Sequence, residues 1–328
     1  MQVAVVLVVV AAVAVGGYFL VRRGRANGPG AESLPPEPTV PEKPAGNPAG
    51  DPGAKPVAAR PVAEQPGPAP APNVALAEAD KLYASAFADP KNQDRTQWER
   101  LRALYGAALE GLPEPAARKP VVDKLNELNK FLIFSSMKTA DCVFHKADIG
   151  ESIERIAMIY NLPRDCSGSV ARINKTEKVN IGQTFKVIKP LKMEIRVSKK
   201  YLRLTATLNG CFFGEFPVGI GKDDATPAGE FIIKADGKDK KPTWWKTAED
   251  GRKVAIKFGE PGHILGTRWM GLEEKEGAVG LGIHGTVEKL DKEIPGRISA
   301  GCIRMHNPDV ELLYDFTPGG SKVTIADQ

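Results

Sequence analysis

Five patterns of apolar and polar positions succeed one another along the chain. Residues 3–21 form an unbroken apolar run, VAVVLVVVAAVAVGGYFLV. At roughly 19 residues the run is long enough to cross a bilayer as a helix. Over residues 26–72 periodicity disappears, and Pro, Ala and Gly dominate among scattered charges of both signs. Such a segment cannot bury a core and reads as an extended linker. Over residues 73–138 apolar side chains recur at helical spacing: Leu76, Ala79, Leu82, Tyr83 and Ala86, then Trp98, Leu101, Leu104, Tyr105 and Ala108, then Val121, Val122, Leu125, Leu128 and Leu132. The spacing predicts three packed helices, with Pro113, Pro115 and Pro120 in the gap before the third. This unit is read as a helical spacer.

Residues 143–190 change period twice. A short strand leads to Gly150, and Ser152 opens a helix with Ile153, Ile156, Ala157 and Tyr160 on one face. Asn174 precedes a second turn, and Gly182-Gln183 leads into a strand at 184–188, so the order is βααβ. From Lys192 onward the period is two: Glu194, Arg196 and Ser198 alternate with Ile195 and Val197. Asn209-Gly210 marks a hairpin, because both residues tolerate positive φ. Further strands are expected at 211–220, 230–235, 253–258, 279–283 and 322–325, and one helix with Asn307 as cap and Pro308 in its first turn. Residues 192–328 therefore read as a mostly-β domain with its own core.

Composition sharpens this division. The 27 prolines and 33 glycines are concentrated rather than spread, so not all 328 residues belong to folded domains. The net charge of +5 suits an anionic polymer or a membrane surface. No basic helix, zinc-finger spacing or aromatic–basic sheet motif points to nucleic acid. Arg22, Arg23 and Arg25 follow the apolar run, and no Lys or Arg precedes it. A cleaved signal peptide, with Ala12-Val13-Ala14 as its cleavage site, would call for a basic segment there. Residues 1–25 are therefore read as an uncleaved membrane anchor, although the arginines favour the cytoplasmic side. The cysteines Cys142, Cys166, Cys211 and Cys302 allow three pairings. Cys142 and Cys166 are the first pair to test, with two buried thiols as the alternative.

Candidate chemistry gathers near the C-terminus. His284 ends an expected strand, and Cys302 lies in the block Ser299-Ala300-Gly301-Cys302-Ile303-Arg304-Met305. An imidazole beside a thiol accepts its proton and yields the thiolate, the competent nucleophile. Gly301 lets the backbone approach closely, and amides around Cys302 would form an oxyanion hole. Two structural residues would leave the same trace, so the pair by itself decides nothing. Cys302, His306, His284 and His263 lack zinc-like ligand spacing, and no metal or organic cofactor is expected. Trp244, Trp245 and Trp269 would line a glycopeptide cleft or fill a core.

The wider pattern resembles the L,D-transpeptidase catalytic domain (YkuD-like) family over residues 192–328. The family's signature is a His-Gly pair followed by Ser-x-Gly-Cys-x-Arg, matched here by His284-Gly285 and by Ser299 through Arg304. Gly219-Ile220-Gly221, Thr226-Pro227-Ala228-Gly229-Glu230-Phe231, Pro242-Thr243-Trp244 and Leu265-Gly266-Thr267-Arg268-Trp269 agree in order. Residues 143–190 resemble a LysM module, which binds N-acetylglucosamine-containing glycans. That likeness rests on Gly150-Glu151-Ser152-Ile153, Ile156-Ala157, Tyr160, Asn174 and Ile181-Gly182-Gln183.

The resemblances imply a multidomain protein with a β-sandwich-like catalytic domain, working in the cell envelope on peptidoglycan stem peptides and glycan strands. Cys302 would attack the carbonyl of the third residue of a tetrapeptide stem, release the terminal D-alanine and leave a thioester. His284 would be the base, held through Gly285, and an amine of a second stem would resolve the thioester into a 3→3 cross-link. Arg304 and Arg268 would hold a substrate carboxylate, with Ser299, Gly301 and Trp269 also in the substrate site. Ala300 stands where many members carry histidine, which removes a side-chain donor near the oxyanion. An L,D-carboxypeptidase, with water resolving the thioester, and a non-catalytic peptidoglycan-binding scaffold are the alternatives.

Overall fold

Prolines open two of the three N-terminal helices, α1 (Pro72–Ala86), α2 (Arg95–Glu110) and α3 (Pro115–Leu132). At the first turn the missing N–H costs nothing, because it would have no helical partner there. α2 is capped by Asp94, which accepts from the Thr96 and Gln97 amides at 2.9 and 3.4 Å. Pro120, expected in the gap, lies inside α3 at an exposed position, where water can satisfy the carbonyl it frees. The computed structural model describes residues 71–87, 94–275 and 278–328. The expected anchor at 1–25 and nearly all of the expected linker at 26–72 lie outside these residues. Among the described residues no helix is long and apolar enough to cross a membrane.

The βααβ order is present as β1 (Cys142–Lys146), α4 (Ile153–Ile159), α5 (Gly168–Asn174) and β2 (Thr184–Ile188). β1 and β2 pair antiparallel, from Cys142 opposite Ile188 to Lys146 opposite Thr184. Ser152 caps α4 by accepting from the Arg155 amide. Asn174 fastens α5 to β2, accepting from the Lys186 amide and donating to its carbonyl, both at 2.8 Å.

Twelve further strands and two helices follow among the described residues: β3 (Met193–Ser198), β4 (Arg203–Leu208), β5 (Cys211–Pro217), β6 (Gly219–Gly221), β7 (Gly229–Lys240), β8 (Trp244–Thr247), β9 (Lys253–Ile256), β10 (Arg268–Leu272), β11 (Gly282–His284), α6 (Glu288–Asp291), β12 (Gly296–Ser299), β13 (Ile303–Arg304), α7 (Asn307–Phe316) and β14 (Lys322–Ala326). Asn209 and Gly210 do take positive φ, 53° and 78°, in the β4–β5 hairpin. The domain is mostly β, as expected, and ten strands form a single curled sheet in the order β12-β6-β13-β11-β10-β7-β14-β3-β4-β5. β7 is the reason. Its first residues pair with β14 and its last with β10, so one long strand carries the ladder across both halves. β8 and β9 form a separate hairpin.

The helical segment is not a free spacer. β5 is an edge strand, whose unpaired carbonyls need partners. Arg102 donates to the Phe212 carbonyl at 2.9 and 3.1 Å, and Asn129 to those of Phe212 and Phe213 at 3.2 and 3.0 Å. Phe212 itself is buried with Trp98, Leu101, Tyr105 and Leu128 in the helical core. The βααβ segment is fused in the same way: Phe185, Ile156 and Val170 share one core with Ile195, Ile283 and Phe316. Buried Lys186 donates to the Leu132 carbonyl at the end of α3, so the described residues belong to one compact unit. Cys142 and Cys166 are buried free thiols, and Cys211 and Cys302 are also free.

Candidate active site

β11 and β13 run side by side in parallel, with Ile283 opposite Ile303 and His284 opposite Arg304. Alternation along a strand then fixes what faces what. Ile283 and Ile303 enter the core, while Gly282, His284, Cys302 and Arg304 share the other face. That face opens into a cleft of about 640 Å³, also lined by Asp239, Trp244, Trp245, Trp269, Ser299 and Ala300. Across β10 Trp269 stands opposite His284, and the two rings stack with centroids 5.8 Å apart. The indole lies where a Gly282 side chain would go, since a Cβ there would be 2.5 Å from the ring.

His284 is buried, and its Nδ1 donates to the Gly285 carbonyl at 2.6 Å, which fixes the tautomer and leaves Nε2 as the acceptor. Burial, followed by the positive charge of Arg304, brings its pKa down to about 4. Burial pushes the Cys302 thiol up, opposed by the Gly282 amide and by Arg304. Both shifts favour a neutral thiol beside a neutral imidazole at rest. The thiol donates to the Gly280 carbonyl at 3.7 Å.

The loop carrying Cys302 is held from two sides. Ser299 Oγ donates to the Cys302 carbonyl at 2.6 Å and accepts from the Gly301 amide at 3.1 Å. Thr226 Oγ1 donates to the Gly301 carbonyl at 2.6 Å and accepts from the Gly221 amide at 2.7 Å. Gly301 has φ 141°, and a Cβ there would sit 3.0 Å from the Ala225 carbonyl oxygen. Thr226 was visible in the sequence only as part of a resembling segment, without a role.

Arg304 is 5% exposed, lies within 4 Å of no carboxylate among the described residues, and its Nε has no hydrogen-bond partner. Arg268 does not join it. Being on the opposite face of β10 from Trp269, it donates to the Thr267 carbonyl at 2.8 Å and lies over the Tyr314 ring, near Glu311. His263, on the loop before β10, is buried with Nε2 donating to the Pro242 carbonyl at 2.8 Å. His306 binds Asp291 at 2.7 Å. Among the described residues no three His, Cys, Asp or Glu side chains are grouped to hold a metal.

The family model for the YkuD L,D-transpeptidase catalytic domain matches residues 192–325. Over 134 residues the chain is 37% identical to the "Putative L,D-transpeptidase YqjB" of Bacillus subtilis (strain 168), covering 40% of this chain and 69% of that protein. The chain belongs to the YkuD L,D-transpeptidase family. The "Putative L,D-transpeptidase YkuD" of the same organism is 33% identical over 132 residues, 40% of this chain and 64% of that one. The "Probable L,D-transpeptidase ErfK/SrfK" of Escherichia coli (strain K12) is 35% identical over 121 residues, 34% and 37% of the two chains. All three matches cover only part of each L,D-transpeptidase and under half of this chain.

Proposed function

We propose that this chain is a peptidoglycan L,D-transpeptidase working through Cys302. The observation that carries the reading is the cleft itself. It gathers a thiol, an imidazole with a free acceptor nitrogen and a buried guanidinium whose Nε has no hydrogen-bond partner on one face of two adjacent segments. The Glu293 charge acts on Arg304 only from beyond salt-bridge distance, and a substrate carboxylate seated on the guanidinium would supply a direct partner. Cys302 Sγ attacks the carbonyl of the third stem residue while the thiol proton passes to His284 Nε2. That proton then goes to the departing D-alanine amine as its C–N bond breaks, leaving a thioester. The amine of a second stem attacks the thioester, gives a proton to His284 and displaces the sulfur, which recovers its proton as the 3→3 cross-link forms. Gly285 holds the imidazole, Ser299 and Gly301 shape the nucleophile loop, and Trp269 forms the cleft wall. Arg268, turned toward α7, would act on substrate only through that wall.

The βααβ segment would serve as a LysM-like glycan module. Ile149 and Ile181 are 77% and 70% exposed on neighbouring loops, joined by the Gly182 amide donating to the Ala147 carbonyl at 2.8 Å. Exposed apolar side chains on two joined loops suit a sugar face. Residues 1–25 as anchor and 26–72 as tether would then hold the enzyme in the envelope, within reach of the wall.

The test is to incubate the full-length protein with disaccharide-tetrapeptides and follow the products by mass spectrometry. Loss of D-alanine with formation of dimers is the expected result. Tripeptide monomers alone would make water the acceptor, and neither product from folded protein would leave the binding scaffold.

Gly282→Ala probes the cleft wall. Its methyl group would push the indole off His284, so D-alanine release is expected to fall about 100-fold, the size of effect that a 1 Å misplacement causes. Thermal unfolding would stay near wild type. Unchanged kinetics in the folded variant would show that the Trp269 wall has no part in turnover.

A further inference from the structure

We propose that Asn307 is a positioning residue for His284, because its side chain ties together the two loops whose carbonyls face the imidazole. The inference rests on reading Cys302 and His284 as nucleophile and base. Asn307 was expected to cap α7, but it is the first residue of that helix, and the capping position belongs to His306. Its side chain is turned away from its own helix and spent on two loops. Oδ1 accepts from the Thr267 and Thr286 amides at 3.2 and 3.1 Å, and Nδ2 donates to the Thr286 carbonyl at 2.9 Å.

Two glycines make room for this amide. A Cβ at Gly285 would lie 2.2 Å from Asn307 Oδ1, and one at Gly266 would lie 2.4 Å from it. Gly266, at φ 64°, follows Leu265, and Gly285 follows His284, so the same close approach sets the spacing of both segments around the imidazole. The Gly285 carbonyl receives the His284 Nδ1 hydrogen, and the Leu265 carbonyl also acts on the ring, both favouring its charged form. The Gly285 amide donates to the Arg268 carbonyl at 3.1 Å where the β10–β11 ladder ends, and the Asn307 amide carries the tie one residue further, to Thr267 and Thr286.

The titratable and charged groups around His284 are Arg304 and Cys302 from the β13 segment, His263 from the loop before Leu265, and, across the cleft at the end of β7, Asp239, Lys240 and Lys241. β10 presents Trp269, and α7 brings the neutral Asn307 amide. Burial is the largest influence on the imidazole, holding its pKa down to about 4. Loosened loops would admit water and let that value rise toward the ordinary one.

The test follows alkylation of Cys302 by iodoacetamide against pH in the full-length protein, reading the Cys302 peptide by mass spectrometry, with D-alanine release alongside. In Asn307→Ala the acid limb is expected to move up by about half a pH unit or more. D-alanine release is expected to fall about tenfold or more. Asn307→Asp keeps the shape and the oxygen that accepts from both amides, but turns a carboxylate toward the Thr286 carbonyl, and its limb is expected to move the same way. A merely structural residue would lower Tm and leave the limb in place, so a wild-type limb in either folded variant overturns the proposal. His284→Gln separates the reading beneath it. If that variant alkylates with the wild-type profile, the Cys302–His284 reading itself fails. If it abolishes the limb while the Asn307 variants leave it unmoved, only the positioning role fails.

Discussion

Replacing Cys302 by alanine is expected to abolish D-alanine release, a loss of at least about 10³-fold, because removal of the nucleophile leaves only binding and oxyanion contacts. No neighbour can take its place. Ser299 Oγ is committed to the Cys302 carbonyl and the Gly301 amide, and Thr226 Oγ1 to Gly301 and Gly221. Cys142 and Cys166 are buried, and Cys211 lies on β5, outside the cleft. Cys302→Ser is expected to be equally inactive. An imidazole whose pKa is near 4 is too weak a base to generate an alkoxide from a serine hydroxyl, which is far less acidic than a thiol. Mass spectrometry of tetrapeptide digests reads both variants. Turnover within tenfold of wild type in Cys302→Ala would place the nucleophile elsewhere and remove the thioester route. If the βααβ segment binds glycan as proposed, wall binding should survive the substitution, because the exposed Ile149 and Ile181 lie outside the residues lining the cleft.

Arg118→Ala is expected to destabilise the protein by about 3 kcal/mol, the lower end of what breaking a buried ion pair costs. Arg118 reaches from α3 to the Glu215 carboxylate on β5 at 2.6 and 2.9 Å, with side-chain exposures of 7% and 15%, and donates to the Leu112 carbonyl at 2.9 Å. Truncation leaves Glu215 with the Thr205 hydroxyl at 3.1 Å and Arg203 at 3.9 Å, which offsets part of the loss. Urea unfolding of the two proteins at one pH gives the difference directly. A loss below about 1 kcal/mol would mean that the helices stand beside the β5 edge without holding it.

Much of the local structure was legible because it depends on neighbours in sequence. The helical spacing of Leu101, Leu104, Tyr105 and Ala108 foretold α2, and Asn209-Gly210 foretold its hairpin. Ser152 was read as a helix start because a hydroxyl there accepts from a free amide of the first turn. The misreadings share a different origin. Pro120 and Asn307 were assigned from their commonest local roles, a helix break and a cap. Their actual environments, an exposed position inside α3 and a gap between two glycine-bearing loops, depend on packing. Arg268 was grouped with Arg304 by motif, but alternation along β10 sends it to the far face, against Tyr314.

By itself, then, the sequence determined the periodicities, the turns, the βααβ order and the His284-Gly285 and Ser299-to-Arg304 blocks that carry the family likeness. These are short-range matters of φ, side-chain alternation and hydrogen bonds within a few residues. Tertiary structure alone decided that three segments read as spacer, module and catalytic domain share their cores. It also decided that β7 joins ten strands into one sheet, and that Gly282 makes room for Trp269. Each of these depends on which distant surfaces exclude water from one another. Hydrophobic burial has no direction along the chain, so the pattern of apolar residues foretells that faces will be covered without saying by what.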